Sequence, residues 1–121
     1  MSSTAGVPLA VDDFHLGEEP LVARAQDVEV DLGANLVRVG SQRLLMPAKE
    51  LHLLFLLVAN AGRVVRREIL IERLWASGQR SNKNLDVHIR RLRQRIEPDP
   101  QRPRYIRTAR GLGYIFDCFD E

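Results

Sequence analysis

Leu85, Ile89, Leu92 and Ile96 recur at spacings of four, three and four, and no other feature constrains the fold of this chain as tightly. At about 100° per residue these side chains share one stripe of a helix. Lys83, Val87, Arg90, Arg91 and Gln94 then form the opposite face, with Asn84 at its edge and His88 on a flank. Pro98 and Pro100 end the helix, which the pattern places over residues 82–97. A helix apolar along a single stripe needs a scaffold to cover that stripe, and it turns a basic face outward.

The sequence upstream supplies the scaffold. Leu51, Leu53, Leu54, Phe55, Leu56, Leu57 and Val58 give a helix over about 47–61 an apolar surface broad enough to be mostly buried. Pro47 suits its start and Gly62 its stop. A second helix is expected over about 66–75, followed by a short polar loop, 76–81. Glu50 and Glu68 complement the positive ends of the two helices. Pro47 and Arg66 stand where a capping side chain would be useful, and neither has an oxygen to take a free backbone N–H.

Before these helices, strand-like pieces at 21–25, 28–31, 36–39 and 42–45 alternate with turn signals at Asp31–Asn35 and Gly40-Ser41, which predicts an antiparallel meander. After the basic helix, 105–109 and 114–116 read as two strands joined by Arg110-Gly111-Leu112-Gly113, a hairpin turn. Residues 1–20, rich in Ser, Gly, Pro, Asp and Glu, read as a tail or linker, and 21–121 as one domain. The fold class is α+β, in the order meander, three helices, hairpin.

The formal net charge of +2 conceals two unlike halves. Residues 1–61 carry 4 basic against 8 acidic side chains, and residues 62–121 carry 14 against 8. Within 80–110 the count is 10 against 3, the footprint expected for a polyanionic partner, although a merely solvated basic face has the same composition.

Other classes find little support. The apolar run from Leu51 to Ala59 is too short to span a bilayer, and no signal segment opens the sequence, so the cytoplasm is the expected compartment. Cys118 is the single cysteine, without a basic or histidine neighbour to favour its thiolate. His15, His52 and His88 are scattered, no phosphate-cradling glycine loop precedes a helix, and Asp86 with His88 points apart at a spacing of two. No catalysis, cofactor or metal is expected. Asp12-Asp13 looks like the acidic pair of a phosphoacceptor receiver domain, but the rest of such a domain does not surround it, and chance is the better reading.

Three helices ending in a basic one, then a hairpin with a cation at its tip, describe a helix-turn-helix with a wing, and double-stranded DNA is the partner that arrangement fits. Arginines reach guanine or phosphate, Asn84 suits adenine, and an outward Val87 meets a thymine methyl or is simply an exposed apolar residue. His88 either packs or meets phosphate, with base reading the less favoured role. RNA fits poorly, since no aromatic stacking platform is visible. A protein-docking winged helix is the rival, and the focusing of arginines on one helix face and at the hairpin tip argues against it.

Leu85-Asp86-Val87-His88-Ile89-Arg90-Arg91-Leu92-Arg93 and Ile106-Arg107-Thr108-Ala109-Arg110-Gly111-Leu112-Gly113-Tyr114 together closely resemble the DNA-binding domain of OmpR/PhoB-type response regulators. Lys49-Glu50-Leu51, Gly62-Arg63-Val64-Val65 and Glu72-Arg73-Leu74-Trp75 fit the same pattern, so the resemblance runs from about Val28 to Phe116. It implies that Lys83, Asn84, Val87 and Arg91 face bases in the major groove, with Arg90 and Arg93 nearer the phosphates. It further implies that Trp75 donates its indole N–H to a phosphate, a role compatible with capping the helix pair. Arg66 and Arg67 become guanidinium contacts at the second helix, Thr108 and Tyr114 touch the backbone from the wing, and Arg110 enters the minor groove. The same resemblance implies two copies head-to-tail on direct repeats about 10–11 bp apart and contact with RNA polymerase through loop 76–81; without a receiver domain to bring copies together, a monomer is expected in solution.

Overall fold

Helix α1 (Ala48–Ala59) is buried along nearly its whole length, as its composition demands, with Leu53, Leu54 and Leu57 fully enclosed. The computed structural model describes residues 21–75 and 82–117, the first three residues of the basic helix by backbone only. The tail 1–20, the loop 76–81 and Cys118 therefore lie outside the described residues.

One side of α1 is covered by an antiparallel sheet of β1 (Val22–Ala25), β2 (Val28–Asp31), β3 (Leu36–Val39) and β4 (Gln42–Leu44), in that spatial order. Cross-strand pairing aligns Ala23, Val30 and Val37, and beside them Ala25, Val28 and Val39. Of these, Ala23, Val28, Val30 and Val37 are buried in the core, as alternation along half-covered strands requires. The turns between strands use left-handed backbone at Gln26, Asn35 and Gly40. Asp31 steadies the second of them by accepting the N–H of Ala34 at 2.9 Å.

On its other sides α1 meets α2 (Arg67–Leu74), α3 (Asn82–Ile96) and a second sheet. Leu85, Ile89, Leu92 and Ile96 of α3 are all buried, so the stripe read from their spacing is the seam that joins α3 to the domain. The second sheet corrects the expected order of elements. A strand, β5 (Val64–Arg66), stands between α1 and α2 and pairs with β7 (Gly113–Phe116), which pairs in turn with β6 (Ile106–Ala109). Three residues are too few for a period-two pattern to show, and only the β-branched pair Val64-Val65 hints at it. The hairpin is thus the outer part of a three-stranded sheet whose third strand leads directly into α2.

That arrangement also answers the missing caps. Neither Pro47 nor Arg66 makes a side-chain cap bond. At α2 the wing takes up part of the deficit, because the Leu112 carbonyl accepts the N–H of Arg67 at 3.0 Å. At α1 the acid in the first turn, Glu50, is only 2% exposed and accepts Arg95 Nε at 2.6 Å.

Candidate nucleic-acid interface

Helix α3 is held from both flanks, and its outward face is what remains. Taking about 100° per residue, Asp86 and Arg93 fall on one flank of the core stripe and His88 and Arg95 on the other. On the first flank Arg93 donates from Nε and Nη2 to the Ile106 carbonyl, at 3.1 and 2.9 Å, and from Nη2 to Thr108 Oγ1 at 3.0 Å. Its guanidinium also lies 5.8 Å from the centre of the Tyr114 ring. On the second flank Arg95 reaches Glu50, and the His88 ring stands edge-on to Trp75 with centroids 5.6 Å apart.

Between these flanks lie Val87, Arg90, Arg91 and Gln94, all exposed. Neither Arg90 nor Arg91 pairs with an acid among the described residues. The backbone of residues 82–84 belongs to the helix, while the side chains of Lys83 and Asn84 lie outside the described part.

The C-terminal end of α3 is tied to the wing by an acid the sequence did not single out. Glu97, 6% exposed, accepts the backbone N–H groups of Arg104, Tyr105 and Ile106, the shortest at 2.7 Å. Tyr105 continues the chain of contacts by donating its hydroxyl to Asp27 at 2.7 Å, which joins the base of the wing to the first turn of the meander. Burial, then the hydrogen bond to Asp27, pushes the Tyr105 hydroxyl up to about 12.

The wing tip is set by two glycines. Gly111 adopts φ +78°, and a side chain on Gly113 would begin 2.0 Å from the Val65 carbonyl oxygen, where β5 lies against β7. Arg110 is exposed at this tip, beside an exposed Leu112. Thr108 is exposed along β6, and Tyr114 is buried under the guanidinium of Arg93.

A three-element contact joins the wing, α3 and the start of α2. Asp86 Oδ1 accepts the Tyr114 hydroxyl at 2.6 Å and Arg67 Nη1 at 2.9 Å. The Tyr114 hydroxyl, and after it the Arg67 guanidinium, hold the Asp86 carboxyl below the usual carboxylate value. Burial and then the bond to Asp86 raise the Tyr114 hydroxyl.

The other expected contact residues divide in the same manner. Trp75 closes α2, is almost fully covered, and has Lys49 Nζ 5.5 Å from its ring centre. Arg66 is exposed and lies 3.9 Å from the equally exposed Glu68, a pair of little energetic weight. His52 is half-buried on α1, and burial, then Lys49 and Arg73, lower its imidazole below the ordinary value. Sequence reasoning overlooked Asp86, Glu97 and Arg95 as positioning groups. An acid within a basic helix was the available signal for Asp86; Glu97 lacked one, because its partners are backbone groups. Among the described residues no three of His, Cys, Asp and Glu gather to hold a metal ion, and no helix is long and apolar enough to cross a membrane.

Residues 41–116 match the family model described as "Transcriptional regulatory protein, C terminal". The chain belongs to that family. It is 40% identical over 104 residues to the sensory transduction protein RegX3 of Mycolicibacterium smegmatis, covering 85% of this chain and 46% of the relative. Among solved structures it resembles the response regulator DrrB of Thermotoga maritima, an OmpR/PhoB homologue. The TM-score is 0.73 at 38% identity, over 84% of this chain and 46% of that one. It also resembles the DNA-binding domain of CpxR from E. coli, at TM-score 0.66 and 28% identity, over 80% of this chain and 96% of that domain. The chain thus spans less than half the length of RegX3 and nearly all of an isolated DNA-binding domain. The winged-helix fold and the OmpR/PhoB type are those expected from the helix and wing motifs.

Proposed function

We propose that this domain binds specific double-stranded DNA sequences as the output module of a bacterial transcriptional regulator. The observation that carries the reading is the outward face of α3, where Val87, Arg90 and Arg91 stand exposed while both flanks of the helix are tied to the domain. A helix pinned along three sides and bare on the fourth is suited to lie in a major groove, where guanidinium forks read guanine or grip phosphate.

In this reading Lys83, Asn84, Val87 and Arg91 meet bases, and Arg90, Arg66, Trp75 and Thr108 face the sugar–phosphate backbone. Arg110 enters the neighbouring minor groove from the wing tip. Arg67, Arg93 and Tyr114, engaged with Asp86, Ile106 and Thr108, support the surface rather than read it. The chain is monomeric in solution, binds direct repeats about one helical turn apart as a head-to-tail pair, and offers loop 76–81 to RNA polymerase in the cytoplasm.

Selection of bound sites from random duplex DNA tests the reading. A preferred site should emerge, and Arg91→Ala should weaken binding to it by about 1–3 kcal/mol while relaxing choice at one base pair. Equal weakening on preferred and random duplexes would reduce Arg91 to a phosphate contact. Failure of any site to enrich would remove the proposal.

A further inference from the structure

Basic side chains gather around Trp75, the residue that closes α2. The His88 ring of α3 stands edge-on to it at 5.6 Å. From the first turn of α1, Lys49 places its Nζ 5.5 Å from the centre of the indole. His52 follows three residues later on α1, and so on the same side of that helix. The charged groups that act on its imidazole are Lys49 and, from α2, Arg73, both of them cations. Glu50, the acid of that helix turn, is engaged by Arg95 of α3, and no ion pair holds Lys49 among the described residues. We infer that α1 takes part in the interface, with Lys49 joining Trp75 on one phosphate of the DNA backbone and His52 standing behind it. The inference rests on the proposed binding of DNA, and it adds a helix to a surface otherwise drawn from α2, α3 and the wing.

The geometry lets the two groups share an anion. The indole N–H points along the plane of its ring, whereas the ammonium of Lys49 stands over the face, so they meet a phosphate from different sides. An ammonium held by a ring still has N–H groups to donate, and its four-carbon stem lets them turn to a better acceptor. Such a contact positions the duplex and carries no sequence information, so its worth is the same on any DNA. His52 reports on the site. In the free domain burial, then Lys49 and Arg73, disfavour its protonated form and hold its pKa below 6.5. A phosphate on Lys49 offsets that cation and brings the opposite charge, so the bound domain protonates more readily. The bound value is then the higher one, and affinity for any duplex rises as pH falls through the interval between the two. His88 faces the same indole from α3 and titrates in a similar range, so the His52 proton has to be followed by itself.

The test measures affinity for the preferred site and for random duplex across a salt series, for wild type, Lys49→Met and Lys49→Arg. Alongside it, the His52 ring proton is titrated by NMR in wild type, with and without duplex. Lys49→Met keeps the stem that lies against Trp75 and removes the charge. It should bind both DNAs about 5–10-fold more weakly at roughly 0.1 M salt, with the slope of log K against log salt shallower by about 0.9. Lys49→Arg should keep the wild-type slope, and the His52 midpoint should be higher in the complex than in the free domain. An unchanged slope in Lys49→Met overturns the inference. So does a loss confined to the preferred site, which would make Lys49 a prop for Trp75, and so does a His52 midpoint no higher with DNA than without it. That titration needs no substitution and decides alone should Lys49→Met fail to fold. If the wild type itself shows no salt-dependent binding to any duplex, it is the proposed function that fails, and the inference with it.

Discussion

Replacing Glu97 by alanine should cost more stability than any substitution on the outward face of α3. The carboxylate is almost fully covered and accepts three successive backbone N–H groups at the entry to β6. Arg104 is exposed, so its N–H can turn to water. Tyr105 and Ile106 are buried, and their N–H groups would be left without a partner in a site that excludes solvent. Each such orphan costs about 1–3 kcal/mol, which gives a loss of about 3–5 kcal/mol once the vacated space is included. Against a total of about 5–15 kcal/mol for a domain of this size, that is a large fraction of the stability. Urea unfolding followed by far-UV circular dichroism would read it as a lower midpoint with little change in slope. Glu97→Gln keeps one oxygen and should lose about half as much, because its NH₂ group faces donors it cannot satisfy. A Glu97→Ala protein within about 0.5 kcal/mol of wild type would refute the reasoning, since such a value belongs to an ordinary surface change.

Gly113→Ala should destabilise the domain by about 3 kcal/mol, because the new Cβ would meet the Val65 carbonyl at 2.0 Å and prise β5 from β7; loss of protection at the β5–β7 amides in hydrogen exchange checks it. Tyr105, with its hydroxyl pushed up to about 12 from an unfolded value near 10, keeps its proton longer when folded. Its contribution is therefore full below pH 10 and is lost as pH rises towards 12, so alkaline unfolding should become shallower in Tyr105→Phe, as denaturant midpoints across that range would show. Arg110→Ala should weaken binding most when the flank of the preferred site is A·T-rich, with a shallower salt dependence, and binding assays on paired A·T and G·C flanks would expose any lack of difference.

The sequence displayed what repeats and concealed what does not. Leu85, Ile89, Leu92 and Ile96 announced the seam of α3 because helical burial has a period, and the meander showed itself through Asn35 and Gly40, whose residue types tolerate the backbone they adopt. β5 escaped notice because three residues give no period, and its identity depends on β7, about fifty residues further along the chain. The lost cap of α2 was visible in Arg66, yet its replacement was not, since the Leu112 carbonyl belongs to a backbone that any residue could provide. For the candidate interface the face of α3 was legible and the roles of its arginines were not. Arg90, Arg91, Arg93 and Arg95 are alike in sequence. Only their angle about the helix, and the acid or carbonyl waiting at 2.6–3.1 Å, separates those that face outward from those that tie the helix down.

That separation changes how the charge of the molecule should be counted. The ten basic side chains between residues 80 and 110 suggest a broad cationic surface. Within the described part, however, Arg95 is paired with Glu50, Arg93 is bound to the wing, Arg107 is 3.0 Å from Asp117, and Arg104 lies over Tyr105. Arg90, Arg91 and Arg110 are turned outward on the helix face and at the wing tip, and Arg102 is exposed in the loop before β6. A surface built this way should show a salt dependence set by a few phosphate contacts rather than by its basic composition. Arg93 and Arg95 contribute by holding α3 still, and a helix held still gains discrimination between sites that added positive charge would not supply.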